Sequence, residues 1–223
     1  MKKILCAFVL VGFVFSGAAF AAKSDEIISD ALSMINEIST QDDVSTMAKT
    51  LKTSHAVALV PSMVKAGFVI GGEYGEGLIL RHEKGEWYGP SFYNIGGGSF
   101  GFQAGAQKIS LLLAVINEKG VNAFMSSKTK LGGDIGVTTG PVGRRAEAAT
   151  DAQAKASIYS YSMSKGLFAG VSLEGSVISI SVKRNKEYWG NDVSASEALK
   201  RPAENENIKP LLKALDELIK KAE

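Results

Sequence analysis

Residues 66–82 read AGFVIGGEYGEGLILRH, and their parity decides the fold. Phe68, Ile70, Tyr74, Leu78 and Leu80 occupy even positions, while Gly67, Gly71, Gly75 and Gly77 occupy odd ones. Successive side chains of a strand point to opposite faces, so a period of two predicts a strand with one apolar face and one nearly bare. Gly96 to Gln107 repeats the pattern, with Phe100 and Phe102 set against Gly97, Ser99, Gly101, Gln103, Gly105 and Gln107. Leu131, Gly133, Ile135 and Val137 against Gly132, Asp134, Gly136 and Thr138 predict a third such strand. Glycine weakens an ordinary strand, so its recurrence implies sharp curvature or the close approach of another backbone. Lys84-Gly85, Gly89-Pro90, Gly140-Pro141 and Lys165-Gly166 signal turns. The expectation is an α+β fold built on a glycine-rich, strongly coiled antiparallel sheet, partly closed like a barrel.

Outward from the sheet the period changes to that of helices. Ile27, Ile28, Ala31, Leu32, Ile35 and Ile38 make one helical stripe over residues 25–38. Its polar face carries Asp25, Glu26, Asp30 and Glu37, which an anionic lipid surface would repel. Ile208, Leu211, Leu212, Leu215, Leu218 and Ile219 make a second stripe, with Pro210 tolerated in the first turn. Both are read as helices docked on the core, and a third around Ile116 to Met125 interrupts the strands.

Lys2 and Lys3 precede an apolar run from Ile4 to about Gly17 and the small-residue site Ala19-Phe20-Ala21, the pattern of a secretory signal peptide. The run is shorter than the ~20 residues of a spanning helix. Residues 1–21 are therefore expected to be removed, leaving a protein that starts at Ala22 and is periplasmic or secreted. Cys6 sits too early in the run for a lipoprotein site. With Lys2 and Lys3 gone, 25 basic residues against 23 acidic become 23 against 23, so no global basic field remains for nucleic acid. The remaining chain holds no cysteine, which excludes disulfides, thiolate metal sites and a cysteine nucleophile. Residues 22–223 suit one domain, with a core over 54–190 and accessory helices at 25–38 and 208–222.

Two motif matches fail on context. Gly96, Gly98 and Gly101 satisfy G-x-G-x-x-G, but strand alternation runs through them where a dinucleotide site needs a helix to begin. Gly97, Ser99 and Gly101 satisfy G-x-S-x-G, yet His55 and His82 both precede Ser99, the wrong order for that hydrolase triad. Two histidines without thiolates suggest no metal site. No catalytic residues, metal or cofactor are expected, and the chain is read as no enzyme.

Residues 54–190 resemble the SYLF lipid-binding domain family through an ordered series of short motifs. They are Lys65-Ala66-Gly67-Phe68, Gly75-Glu76-Gly77 leading to Arg81, Gly85-Glu86-Trp87-Tyr88-Gly89-Pro90, and Gly101-Phe102-Gln103-Ala104-Gly105. Leu131-Gly132-Gly133-Asp134, Gly140-Pro141-Val142-Gly143-Arg144, Tyr159-Ser160-Tyr161-Ser162, Lys165 to Ser176 and Tyr188-Trp189-Gly190 complete the series. The resemblance implies an exported bacterial member that binds phospholipid head groups or anionic membrane surfaces. Eukaryotic relatives bind phosphoinositides, and some are linked to actin; neither partner is expected in a bacterial periplasm. The chain departs from the family at Trp87-Tyr88-Gly89-Pro90, where Trp-Ser-x-Pro is usual, and at Arg184-Asn185-Lys186-Glu187, where asparagines are usual.

With zero net charge, a head-group site must be local. Arg144 and Arg145 after the Gly140-Pro141 turn, Lys165 in a turn, and Lys183, Arg184 and Lys186 at a strand end are the candidates. Arg144 is the strongest, lying beside glycines that leave backbone N–H groups accessible. Trp87 and Tyr88 are candidates for a membrane interface. The rival reading is a structural or protein-interaction role at the cell envelope, with the apolar stripe of residues 208–219 as partner surface.

Overall fold

The computed structural model describes residues 24–42, 44–67, 70–100, 105–141, 156–164, 167–169 and 171–222. In chain order they form α1 (Ser24–Ser39), α2 (Val44–Lys52), β1 (Ala56–Gly67), β2 (Ile70–Glu83), β3 (Glu86–Phe100) and β4 (Gly105–Val115). Then come α3 (Glu118–Met125), β5 (Lys128–Lys130), β6 (Val137–Thr139), β7 (Ile158–Ser164), β8 (Leu167–Ala169) and β9 (Val177–Ile180). Helices α4 (Val182–Trp189), α5 (Ala195–Ala198) and α6 (Lys209–Lys220) follow. The sheet runs β5-β9-β3-β2-β1-β4-β7-β6, with β8 also on β7. Every pairing is antiparallel except β6 on β7, so the sheet is mixed at one edge.

The sheet curls into a half-barrel because its two edge strands are nearly consecutive in sequence. Residues 131–136 alone separate β5 at one edge from β6 at the other. On one side of this link Leu131 N–H donates to Ser176 O (2.8 Å), and on the other Ser157 N–H donates to Gly136 O (2.9 Å). Of the predicted third strand, Val137 and Thr138 fall in β6, but residues 131–136 are this link and form a turn: Asp134 Oδ2 accepts from Lys130 N–H at 2.8 Å, and Gly132 has φ +79°. A side chain that closes its own turn overrides the alternation. The other two glycine-patterned segments each straddle two strands, 66–82 spanning the end of β1 and β2, and 96–107 the end of β3 and the start of β4.

Parity divides the strand side chains between two cores. Val57, Leu59, Leu78, Leu80, Phe92, Leu112 and Ala114 face outward and pack under α1, α2 and α6. Val60, Met63, Ile79, Tyr93, Ile95, Ile109, Leu111 and Leu113 face inward with Val121 and Phe124 of α3. The glycine face of β2 is therefore filled, not bare. A Cβ on Gly77 would lie 3.0 Å from Tyr93 Cζ and 3.0 Å from Val60 Cγ2, so the missing side chain is the space those two occupy.

Helix α1 buries Ile27, Ile28, Ala31, Ile35 and Ile38, as the stripe predicts, and also Met34, while Leu32 of the stripe is half-buried. Ile208, Leu211, Leu215 and Leu218 are fully buried, which spends the second stripe on the core and removes it as a partner surface. Helix α4 takes over the edge of β3 where β9 ends: Ser181 N–H donates to Phe92 O (2.9 Å), and Asn185 Oδ1 accepts from Phe92 N–H (2.8 Å).

Candidate functional site

The predicted cationic residues fall in different places. Lys183, Arg184 and Lys186 stand on α4, not at a strand end as their sequence context suggested. Arg184 is 3% exposed, its Nη1 2.8 Å from Glu187 Oε2 and its Nη2 3.6 Å from Glu76 Oε2. A buried guanidinium with two carboxylates beside it is a structural tie and not a head-group ligand. Lys186 is exposed but pairs with Asp192 at 3.0 Å, and exposed Lys183 makes no ion pair among the described residues. Arg144, Arg145 and Lys165 lie outside the described residues.

The proposed interface aromatics are also corrected in part. Trp87 is 8% exposed, stacks on His82 with ring centroids 4.4 Å apart, and donates from Nε1 to Asp216 Oδ1 at 2.8 Å. Its indole fastens α6 to the sheet and is not available to a bilayer. Burial pushes the His82 imidazole below its ordinary pKa, partly opposed by Asp216. Tyr88 is half-buried, and its hydroxyl donates to Glu86 Oε2 at 2.8 Å, which raises its pKa.

The Gly140-Pro141 turn that leads to Arg144 is held firmly. Gly140 N–H donates to Ser160 O (2.8 Å), and a Cβ at Gly140 would overlap the ring of Tyr161. Tyr161 donates to Thr50 Oγ1 (3.0 Å), and burial pushes its pKa up to about 12. Next to this turn, Thr46, Lys49 and Thr50 of α2 and Thr53 just past it face Ile116, Pro141 and Tyr159 across an open cleft of about 510 Å3. Thr50 and Thr53 donate to the carbonyls of Thr46 and Thr50, so their hydroxyls offer the cleft only lone pairs. Lys49 is exposed and makes no ion pair among the described residues. Arg144 and Arg145 come three and four residues after Pro141 in sequence.

A second cleft, of about 360 Å3, is lined by Arg81, Glu83, Lys84, Glu86, Tyr88, Leu199 and Lys200. Its acids disfavour an anion, and Arg81 is already engaged by Glu83 (3.3 Å) and Glu118 (3.1 Å). Lys183 and Lys186 are remote from the first cleft, since α4 packs on β3 and the cleft borders β7, with β2, β1 and β4 between.

One group has the residue types of a catalytic set: Ser176 donates from Oγ to Glu73 Oε1, and Lys65 Nζ lies 2.6 Å from Glu73 Oε2. Both carboxylate oxygens are occupied, one by the Ser176 hydroxyl and one by the Lys65 ammonium. The trio ties β1 and β2 to the loop before β9. Sequence reasoning missed Lys49, although Val44, Met47, Ala48 and Leu51 carry a helical spacing that would have shown α2.

A glycine-built half-barrel held between helices, with an open cationic cleft, defines a binding scaffold. A family model described as Ysc84, the Las17-binding protein actin regulator, matches residues 96–218, and the chain belongs to this Ysc84, or SYLF, family. SH3 domain-containing YSC84-like protein 1 of Xenopus laevis is 36% identical over 165 residues, covering 71% of this chain and 49% of that protein. The Homo sapiens protein of the same name is 33% identical over 162 residues, covering 70% and 47%. LAS seventeen-binding protein 3 of Saccharomyces cerevisiae (strain ATCC 204508 / S288c) is 37% identical over 149 residues, covering 65% and 32%. The chain thus spans less than half the length of these curated relatives. The family is one of binding and adaptor proteins.

Proposed function

We propose that this chain is a non-catalytic module that binds phospholipid head groups or anionic membrane surfaces on the periplasmic side of the cell envelope, after export and removal of residues 1–21. The observation that supports this most is the open cleft lined by Pro141 and by Lys49, which makes no ion pair among the described residues; Arg144 and Arg145 follow Pro141 closely in sequence. On a protein with no net charge, local cations such as these attract an anionic surface. Each is worth on the order of 1 kcal/mol near such a surface, so reversing two costs tenfold or more in binding.

Vesicle flotation of the chain from Ala22 onward tests this. Binding is expected with phosphatidylglycerol-containing vesicles, weak with phosphatidylcholine alone, and declining as salt rises. Arg144→Glu with Arg145→Glu should reduce it tenfold or more, and Lys49→Glu alone severalfold, without lowering the melting temperature. A chain that fails to float with either vesicle sinks the proposal. A protein-binding role is the second reading, favoured by the relatives' names, since the yeast relative is named for binding LAS seventeen.

A further inference from the structure

Beyond the helices, the outer face of the four central strands ends in two rows that no described residue covers. The register aligns Gly96, Tyr74, Val64 and Lys108 across β3, β2, β1 and β4, and then Gly98, Gly72, Ala66 and Ala106. Val64 is 47% exposed and Tyr74 53%, with the Tyr74 hydroxyl turned back onto Glu76 Oε1 at 3.2 Å so that the ring stays bare. Leu167 of β8, 70% exposed, reaches the same level from the side. It pairs with Ser164, whose Oγ accepts from Gln107, and Gln107 pairs with Lys65 beside Val64.

Three of the four large exposed apolar residues among the described ones thus stand at one end of the sheet, Val182 being the fourth. Charge at this end is one-sided. Glu73 is held by Lys65 and Glu76 by Arg184, whereas Lys108 is exposed with no ion pair among the described residues.

We infer that this end of the half-barrel, with Tyr74, Val64 and Leu167 as its apolar contacts and Lys108 at its margin, enters the interface of an anionic bilayer. The inference rests on the membrane-binding reading and adds to it a second contact surface, at the end of the strands away from the cleft, which borders Ile116 just past β4. A bilayer fits better than a protein partner because the apolar residues ring the end of the sheet, on an outer face and on a flanking strand, where a flat interface meets all of them at once. Tyrosine and valine suit the boundary between head groups and chains, and a lysine there keeps its ammonium among the phosphates.

The test uses a fluorescent probe. The chain from Ala22 has no cysteine, so Tyr74→Cys and Glu204→Cys can each carry one environment-sensitive nitrobenzoxadiazole label. Glu204 is exposed beside Ala203, which bonds to Trp87 at the opposite end of β3, and serves as the control. On phosphatidylglycerol-containing vesicles the label at 74 should shift to the blue and be quenched by brominated lipid, and the label at 204 should do neither. Val64→Ser combined with Leu167→Ser should weaken flotation roughly tenfold or more while leaving the melting temperature unchanged. If the protein floats but the label at 74 stays in water, the inference falls and the head-group reading stands. A blue shift at 74 that depends on protein concentration without vesicles assigns the face to a second copy and also overturns it. A protein that does not float at all removes both readings.

Discussion

Replacing Gly77 by alanine should cost this fold far more than replacing Gly72, although both are glycines of β2. A Cβ at Gly77 would press on the Leu59 carbonyl of the neighbouring strand and lie 3.0 Å from both Tyr93 Cζ and Val60 Cγ2. The worst contact is with backbone, at the bulge where the β1–β2 register shifts between Leu59 and Ser62, so no rotamer change relieves it. Overpacking of this kind costs about 1–3 kcal/mol, and the upper part of that range applies where backbone must move. The stiffer unfolded chain returns about 0.4–1 kcal/mol, leaving a net loss of about 2 kcal/mol. At Gly72 the nearest atom to an added Cβ is Gly97 O at 3.9 Å, ordinary contact on an exposed row, so alanine there should be neutral or stabilise by about 0.5 kcal/mol. In a chain of this length a loss of about 2 kcal/mol lowers the melting temperature by roughly 4–8 °C. Urea denaturation followed by circular dichroism measures both variants. Equal stability of the two, or a larger loss at Gly72, would refute the view that the glycine face exists to admit Tyr93 and the β1 bulge.

The His82–Trp87–Asp216 cluster supports two more expectations. Trp87→Phe removes a hydrogen bond to a carboxylate and part of a buried ring, so urea denaturation should show a loss of about 2–3 kcal/mol. Vesicle binding by folded Trp87→Phe should be unchanged; a selective loss of binding would restore Trp87 to the membrane interface. Burial depresses the His82 pKa in the fold, so the folded chain takes up this proton at lower pH than the unfolded chain, which does so near pH 6.5. Stability is therefore lost as pH falls through that value, and His82→Phe, which keeps a ring against Trp87, should show less of this loss between about pH 7.5 and pH 5.5. Parallel pH profiles for wild type and variant would count against it.

The parts of the fold legible in sequence are those decided by periodicity. Helices α1 and α6 were readable from their stripes, and the curled sheet from alternation with glycine, because burial of one face leaves its period in the chain. The strand boundaries were not readable: Phe68-Val69 continues the alternation between β1 and β2, so two strands look like one. Residues 131–136 misled for a related reason, since Asp134 closes a turn inside an alternating run. Helix α4 was hidden because the residues it buries are Arg184 and Asn185, polar groups whose burial is explained only by Glu76, Glu187 and the Phe92 backbone, all brought there by tertiary structure. The candidate site was legible as a motif at Gly140-Pro141, but the cleft beside it depends on α2, distant in sequence.

The lengths of the central strands link this fold to a surface role. β1, β2, β3 and β4 hold 12, 14, 15 and 11 residues, against about 5–6 in an ordinary strand. The outer core under α1, α2 and α6 uses only the rows of Leu59, Leu78, Phe92 and Leu112 and those beyond them toward Val57, Leu80 and Ala114. Past that core the same strands pass through a polar row of Ser62, Glu76 and Asn94 and then into the rows at Val64 and Ala66 that no described residue covers. Burial that stabilises the fold is thus concentrated at one end of each strand, and the other end extends it by backbone pairing with little outer packing. Substitutions at Val64 or Tyr74 can therefore change what the protein touches without opening its core. The glycines permit this division, because a sheet with so few side chains on its projecting outer rows can curl and stay paired without a helix to cover it.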